Sequence, residues 1–74
     1  MLKVGNTVVL NSNNLTVNKI IKGKNKTVSV GAKGDIFTII KIAKYCDLVT
    51  IMDSKKIRFK IPNTVLSKNF VFIS

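Results

Sequence analysis

The sequence predicts an all-β fold, a small barrel of about five to seven strands in one domain that spans residues 1–74. Two observations carry this prediction. Lys56 to Ile61 alternates basic and apolar residues, and this period of two places the apolar side chains on one face of a strand. Residues 31–61 contain three runs rich in strand-forming residues, whereas no amphipathic helix of useful length occurs in the chain.

The three runs in residues 31–61 predict a meander of consecutive antiparallel strands. In the second strand, 48–52, Val49 and Ile51 should point inward. A tight turn at residues 53–55 then joins it to the strand of Lys56 to Ile61. The first strand, 36–43, is apolar on both faces, which predicts that it is either strongly bent or covered by another part of the chain. We expect its even positions to face the core, namely Ile36, Ile40 and Ile42. Phe37 and Ile39 should then lie on the opposite face.

The first third of the chain predicts one strand followed by a long excursion. Residues 2–10 form the strand, with Val4, Val8 and Leu10 on one parity. Residues 11–33 then carry a hairpin of their own, whose first arm, 15–21, offers its apolar positions to the core. The hairpin should end in a basic loop tip that contains Lys22, Lys24 and Lys26.

The last third predicts a short helical turn and a final strand. Pro62 cannot donate to a sheet ladder and should end the preceding strand. Residues 63–67 fit one turn of 3₁₀ helix, with Asn63 or Thr64 as its cap and Val65 or Leu66 closing one end of the core. Residues 70–73 form the last strand.

The composition points away from catalysis. The chain has one cysteine, no histidine, no glutamate and three aspartates, so general acid–base groups and metal ligands are nearly lacking. We therefore expect a non-enzymatic protein without cofactor or metal. The N-terminal residues contain no apolar export signal, and no apolar run is long enough to cross a membrane, so we expect a cytoplasmic setting without membrane contact.

The outer strands, the excursion and the short turn together resemble an SH3-like barrel. More narrowly, VGNTVVL and VGAKGDIFTI resemble the two halves of the KOW motif of transcription elongation factors and some ribosomal proteins, although Asn6 stands where an aspartate is usual. The resemblance implies a platform for RNA, DNA or a polymerase. The matching positions are Gly5, Val8, Gly31, Gly34 and Ile36.

Thirteen basic residues against three acidic ones give a net charge of +10, which favours polyanionic partners. We expect RNA or DNA to bind with low sequence specificity, because twelve of the thirteen bases are lysine and a lysine is a point charge. The expected contact residues are Lys22, Lys24, Lys26, Lys41, Lys56, Arg58, Lys60 and, for base stacking, Phe37. The alternative for the strand lysines is a solvated edge that prevents aggregation, and A+T-rich codon usage is another source of lysine.

The rival hypothesis is a protein-interaction module that binds an acidic surface of a host enzyme and modulates it. Candidate partners are RNA polymerase, the ribosome or another host protein, and a phage origin suits a chain of this kind. The chain itself is expected to be a monomer or a weak homodimer. In this hypothesis an outward apolar strip docks the partner or a second copy; its residues are Phe37, Ile39 and Met52.

Overall fold

The computed structural model describes residues 2–74, and this part of the chain forms seven strands and one helix. The strands are β1 (Thr7–Leu10), β2 (Thr16–Ile21), β3 (Lys24–Ser29), β4 (Ile36–Ile42), β5 (Leu48–Met52), β6 (Arg58–Pro62) and β7 (Phe70–Phe72). Helix α1 (Asn63–Asn69) lies between β6 and β7. Within residues 2–74, no helix has the length and apolar character needed to cross a membrane.

The strands form two antiparallel sheets. Five of them pair in the order β6-β5-β4-β1-β7, and β2 pairs only with β3 among the described residues. The all-β prediction is therefore confirmed, as are the predicted meander of β4, β5 and β6 and the separate hairpin in the early excursion. The hairpin lies beside β6, where the Lys19 ammonium donates a hydrogen bond to the carbonyl of Arg58 at 2.9 Å.

The core lies against the inner face of the five-stranded sheet and is entirely apolar. Val49 and Ile51 of β5 are buried, as the sequence predicted. Leu15 and Val17 of the excursion pack against the same core, whereas Ile21 is 37% exposed. The buried core residues are Val8, Leu10, Val30, Phe37, Ile39, Val49, Ile51, Phe59, Ile61, Leu66 and Phe70.

From Ile36 to Ile40 the faces of β4 are the reverse of those predicted from the sequence, whereas Ile42 packs against the core as predicted. Phe37 and Ile39 are 1% and 0% exposed, whereas Ile36 is 56% exposed. The ladder with β5 shows why the two ends of the strand differ: Ile39 pairs with Ile51, but the next pair is Lys41 with Thr50, so Ile40 is the extra residue of a β-bulge. The bulge shifts the alternation by one residue, which returns Ile42 to the core side and leaves Ile40 on the outer side.

The predicted basic loop between the arms of the early hairpin is a two-residue turn. Lys22 and Gly23 have φ angles of 51° and 78°, and positive φ at both central positions is typical of a type I′ turn. The strands pair up to this turn, with Ile21 opposite Lys24. Lys24 and Lys26 therefore belong to β3 and not to a loop.

The connection between β5 and β6 is two residues longer than predicted and includes Lys56 and Ile57. One carboxylate oxygen of Asp53 accepts hydrogen bonds from the N–H groups of Lys55 and Ile57, both at 2.9 Å. Lys56 has a φ of 66° and donates its N–H to the Asp53 carbonyl at 3.0 Å. β6 consequently begins at Arg58, and the alternating pattern of the sequence overestimated the strand by two residues.

Three further predictions differ from the structure, in the segment before β1 and in the helix before β7. Val4 lies before β1 and is 62% exposed, because Gly5, with a φ of 96°, turns the chain. Residues 63–69 form an α-helix instead of a single 3₁₀ turn, and Phe70 N–H bonds to the Leu66 carbonyl four residues back. Pro62 ends β6 and is itself the N-cap, without a side-chain hydrogen bond, so neither Asn63 nor Thr64 caps this helix.

Candidate functional site

Pairing between β4, β5 and β6 aligns basic side chains on the outer face of the sheet. Thr50 of β5 is paired with Lys41 on one side and with Lys60 on the other, so the two lysines flank it in one row. Strands are spaced about 4.8 Å apart, which puts the two lysine Cα atoms roughly 10 Å apart. Arg58 is paired with Met52 in the next row of the same face.

Strand β2 of the hairpin lies along one side of this face and encloses a groove with it. Lys19 of β2 is held by its hydrogen bond to the Arg58 carbonyl, and its ammonium lies 5.0 Å from the centroid of the Phe59 ring, a cation–π contact. Between β2 and the outer face of β4 to β6 runs a groove of ≈ 840 Å³, called here the basic groove. Its lining residues are Val17, Asn18, Lys19, Ile20, Ile40, Lys41, Thr50, Met52, Arg58, Phe59 and Lys60.

The basic groove combines positive charge with an apolar floor. Its four cationic groups come from β2, β4 and β6, and Ile40, Met52 and Val17 supply apolar surface between them. Within the described residues, no aspartate lines the groove. The carboxylates of Asp35 and Asp53 accept hydrogen bonds from backbone N–H groups of their own loops. The groove therefore presents an uncompensated positive field to a ligand.

The polar side chains of the groove are those of lysine, arginine, asparagine and threonine. Across residues 2–74, no three His, Cys, Asp or Glu side chains lie together in a way that would hold a metal ion. The lone Cys46 is exposed in the loop between β4 and β5.

The structure brings together three of the eight residues predicted to contact nucleic acid, and places the others elsewhere. Lys41, Arg58 and Lys60 line the basic groove. Phe37 is a core residue whose ring is unavailable for stacking, so its predicted outward position is wrong, as is that of Ile39. Met52 does lie on the outer face. The predicted residues outside the groove are Lys22, Lys24 and Lys26 on the hairpin and Lys56 in the turn before β6.

Lys19 is the groove residue that the sequence interpretation missed. The alternation of the sequence could have identified it: Lys19 is two residues after Val17 and four after Leu15, on the side of the strand that packs against the core. A lysine at a core-facing position of a strand must extend to the rim to keep its charge in water, where its stem covers apolar surface. Its cross-strand neighbour is Lys26, so positive charge continues from the groove onto β3.

Comparisons of the chain with models of known protein families, with curated proteins and with solved structures found no match.

Proposed function

We propose that the protein binds single-stranded nucleic acid, RNA or DNA, along the basic groove, and that it does so without catalysing a reaction. The observation that carries the proposal is the convergence of Lys19, Lys41, Arg58 and Lys60 on one concave surface. Lysine and arginine contacts to phosphate supply most of the affinity in sequence-independent binding, because they release counterions condensed on the nucleic acid.

The apolar floor favours a single strand over a duplex. A duplex keeps its bases stacked inside and presents phosphates and sugars, so it has nothing to place against Ile40, Met52 and Val17. A single strand can direct bases inward and phosphates toward the lysines. The stacking contribution is small in this groove, since Phe59, its one aromatic lining residue within residues 2–74, is only 5% exposed.

Low sequence specificity follows from the type of cation. Arg58 is the one arginine in the chain, and bidentate recognition of guanine is best made by arginine. Lysine contacts to phosphate position a strand but carry no base information. Scrambling the base order should therefore change the affinity little.

We also propose that the two sheets together form an open SH3-like barrel of the KOW type, in a cytoplasmic protein. The five-strand order, the short helix before the last strand and the hairpin beside β6 support this arrangement. Gly5 and Gly34, two of the positions that carry the resemblance, have φ angles of 96° and 99°, which suit the turn glycines of that motif.

The test is fluorescence anisotropy with a labelled single-stranded oligonucleotide and with the duplex of the same sequence. The double variant Lys41→Ala/Lys60→Ala should lose about tenfold or more in affinity for the single strand at low salt. The control is Lys3→Ala/Lys68→Ala, which removes two exposed lysines outside the groove and leaves the same net charge, +10 − 2 = +8. Equal losses in the two variants would mean that net charge, and not the groove, governs binding.

A second candidate function, docking of an acidic protein segment, is favoured by a cleft at the end of the hairpin that combines apolar side chains with Lys19 and Lys22. This cleft of ≈ 660 Å³ lies between β2 and the residue before β6, and its lining includes Ile20, Ile21, Lys22 and Ile57. Ile20 and Ile57 are 76% and 42% exposed. Binding to an acidic partner that survives Lys41→Ala/Lys60→Ala but is lost in Ile21→Ser/Ile57→Ser, two changes outside the basic groove, would favour this function over the first.

A further inference from the structure

β7 is an edge strand whose outer side is open. It pairs with β1 on one side, and no strand of residues 2–74 pairs with its other side. The carbonyl of Asn69 and the N–H of Ile73 bond to Asn11 and Thr7, at 2.7 and 2.9 Å. Because hydrogen-bonded residues alternate in an antiparallel pair, the N–H and C=O of Phe72 point away from β1. An unpaired edge of this kind is a template for another strand.

The outer face beside this edge is apolar and uncharged. Ile36, Val9 and Val71 form one row across β4, β1 and β7, and Ile36 and Val71 are 56% and 51% exposed. Ile73, which follows β7, is 60% exposed. Neither β1 nor the segment from Phe70 to Ser74 contains a charged residue. Charged side chains, lysine above all, are one common protection of edge strands, and β6, at the opposite end of the strand order, carries Arg58 and Lys60, whereas β7 carries no charged side chain.

We propose that β7 pairs with β7 of a second copy of this chain, antiparallel and around a twofold axis at Phe72. In this register the two Phe72 residues exchange a pair of backbone hydrogen bonds, and Val71 of each copy lies beside Ile73 of the other on the outer face. The contact is isologous, so the same patch serves both copies and the assembly closes as a dimer.

The lack of charged side chains on β7 favours a second copy of the chain over an acidic partner at this edge. An acidic partner gains nothing from an uncharged strip and is attracted instead to the basic groove. Two copies with a net charge of +10 repel each other through their lysine-rich surfaces, whereas β7, at the opposite end of the strand order from β6, carries no charged side chain. The dimer also leaves both basic grooves open, since they lie between β2 and β4 to β6.

The test is sedimentation equilibrium of the full chain over a wide concentration range, at low and at high salt. The dimer should strengthen at high salt, where repulsion between the copies is screened; nucleic-acid binding should weaken under the same conditions. Val71→Lys and Ile73→Lys, both at exposed positions, should each raise the dimer dissociation constant by more than about tenfold, because the symmetric contact brings the new charges together.

The matched control is Ile36→Lys, which adds the same charge on the same outer face but two strands away from the edge. It should leave the edge dimer nearly unchanged. If it weakens the dimer as much as Val71→Lys does, the copies pack face to face and edge pairing is overturned. A chain that stays monomeric at the highest concentrations and salt also overturns it.

Amide hydrogen exchange supplies a readout that does not depend on any variant. In the edge dimer the Phe72 N–H becomes hydrogen-bonded, so its exchange should slow as the protein concentration rises. The Val71 N–H, on the side that faces β1, should show little dependence on concentration. Exchange at Phe72 that is independent of concentration while the protein is dimeric would contradict the proposed register.

Discussion

The rings of Phe37 and Phe70 meet edge to face, with their centroids 5.5 Å apart and their planes at 85°. Phe37 makes a second such contact with Phe59, at 6.3 Å and 69°. Edge-to-face aromatic pairs add to the free energy gained by burial alone. Phe37 thus joins β4, β6 and the start of β7 through the middle of the core.

Replacing Phe37 by Ala should lower the free energy of unfolding by about 3–5 kcal/mol, because it removes a buried ring and leaves a cavity. Urea denaturation followed by circular dichroism measures this. The control is Ile36→Ala, a neighbour on the exposed face of the same strand, which should change stability by about 0.5 kcal/mol or less. Equal effects would contradict the assigned faces of β4.

Replacing Lys22 by Asn should stabilise the protein by about 0.5–1 kcal/mol. Lys22 holds a φ of 51°, a left-handed conformation that asparagine tolerates better than lysine, and Asn-Gly is the preferred pair for this turn. The midpoint of urea denaturation should rise. Lys24→Asn, which removes the same charge from an extended position in β3, should bring no gain.

Replacing Asp53 by Ala should destabilise the domain by about 1–2 kcal/mol, because two backbone N–H groups of the turn lose their acceptor. Asp53→Asn keeps an oxygen at that position and should retain most of the stability. Thermal unfolding of the two variants in parallel checks this. A loss in Asp53→Asn as large as in Asp53→Ala would show that the charge matters more than the hydrogen bonds.

The salt dependence of nucleic-acid binding should report how many groove cations meet phosphates. With four cations on a single strand, the logarithm of affinity should fall against the logarithm of salt with a slope of about −3. Removing Lys19, Lys41 or Lys60 should make this slope shallower by about 0.7, whereas Arg58→Lys should preserve it. Lys33→Ala, outside the groove, should leave the slope unchanged. A slope near zero in the wild type would contradict the proposed mode of binding.

The strands that alternate in sequence were predictable, and the strand that is apolar on both faces was not. Val49, Ile51, Phe59 and Ile61 followed from period two and are buried. In β4, local sequence offered hydrophobic side chains to both faces, and the choice is made by long-range pairing, which places Phe37 opposite Val8 of β1. No local pattern marks the bulge that shifts the alternation.

The candidate site was predictable to the extent that it lies on one continuous sheet. Lys41, Arg58 and Lys60 share its outer face, and the meander that aligns them follows from local sequence. The fourth cation, Lys19, reaches the groove because the hairpin docks beside β6; the alternation along β2 marks Lys19 as core-facing, but no local pattern marks this tertiary contact. The left-handed turn positions of Lys22 and Lys56 are also unusual for lysine, which is why a loop and a strand were predicted there.

The bulge in β4 gives the chain one residue more than its ladder requires. With Ile40 omitted, Phe37, Thr38, Ile39, Lys41 and Ile42 would alternate in and out without interruption, opposite the same residues of β5. A chain that lacks Ile40 should therefore keep its hydrogen-bond register and its core. Its longest strand, β4, should straighten, and the basic groove should lose part of its apolar floor. A one-codon deletion is therefore expected to change the shape of the binding surface while it preserves the strand pairing that stabilises the domain.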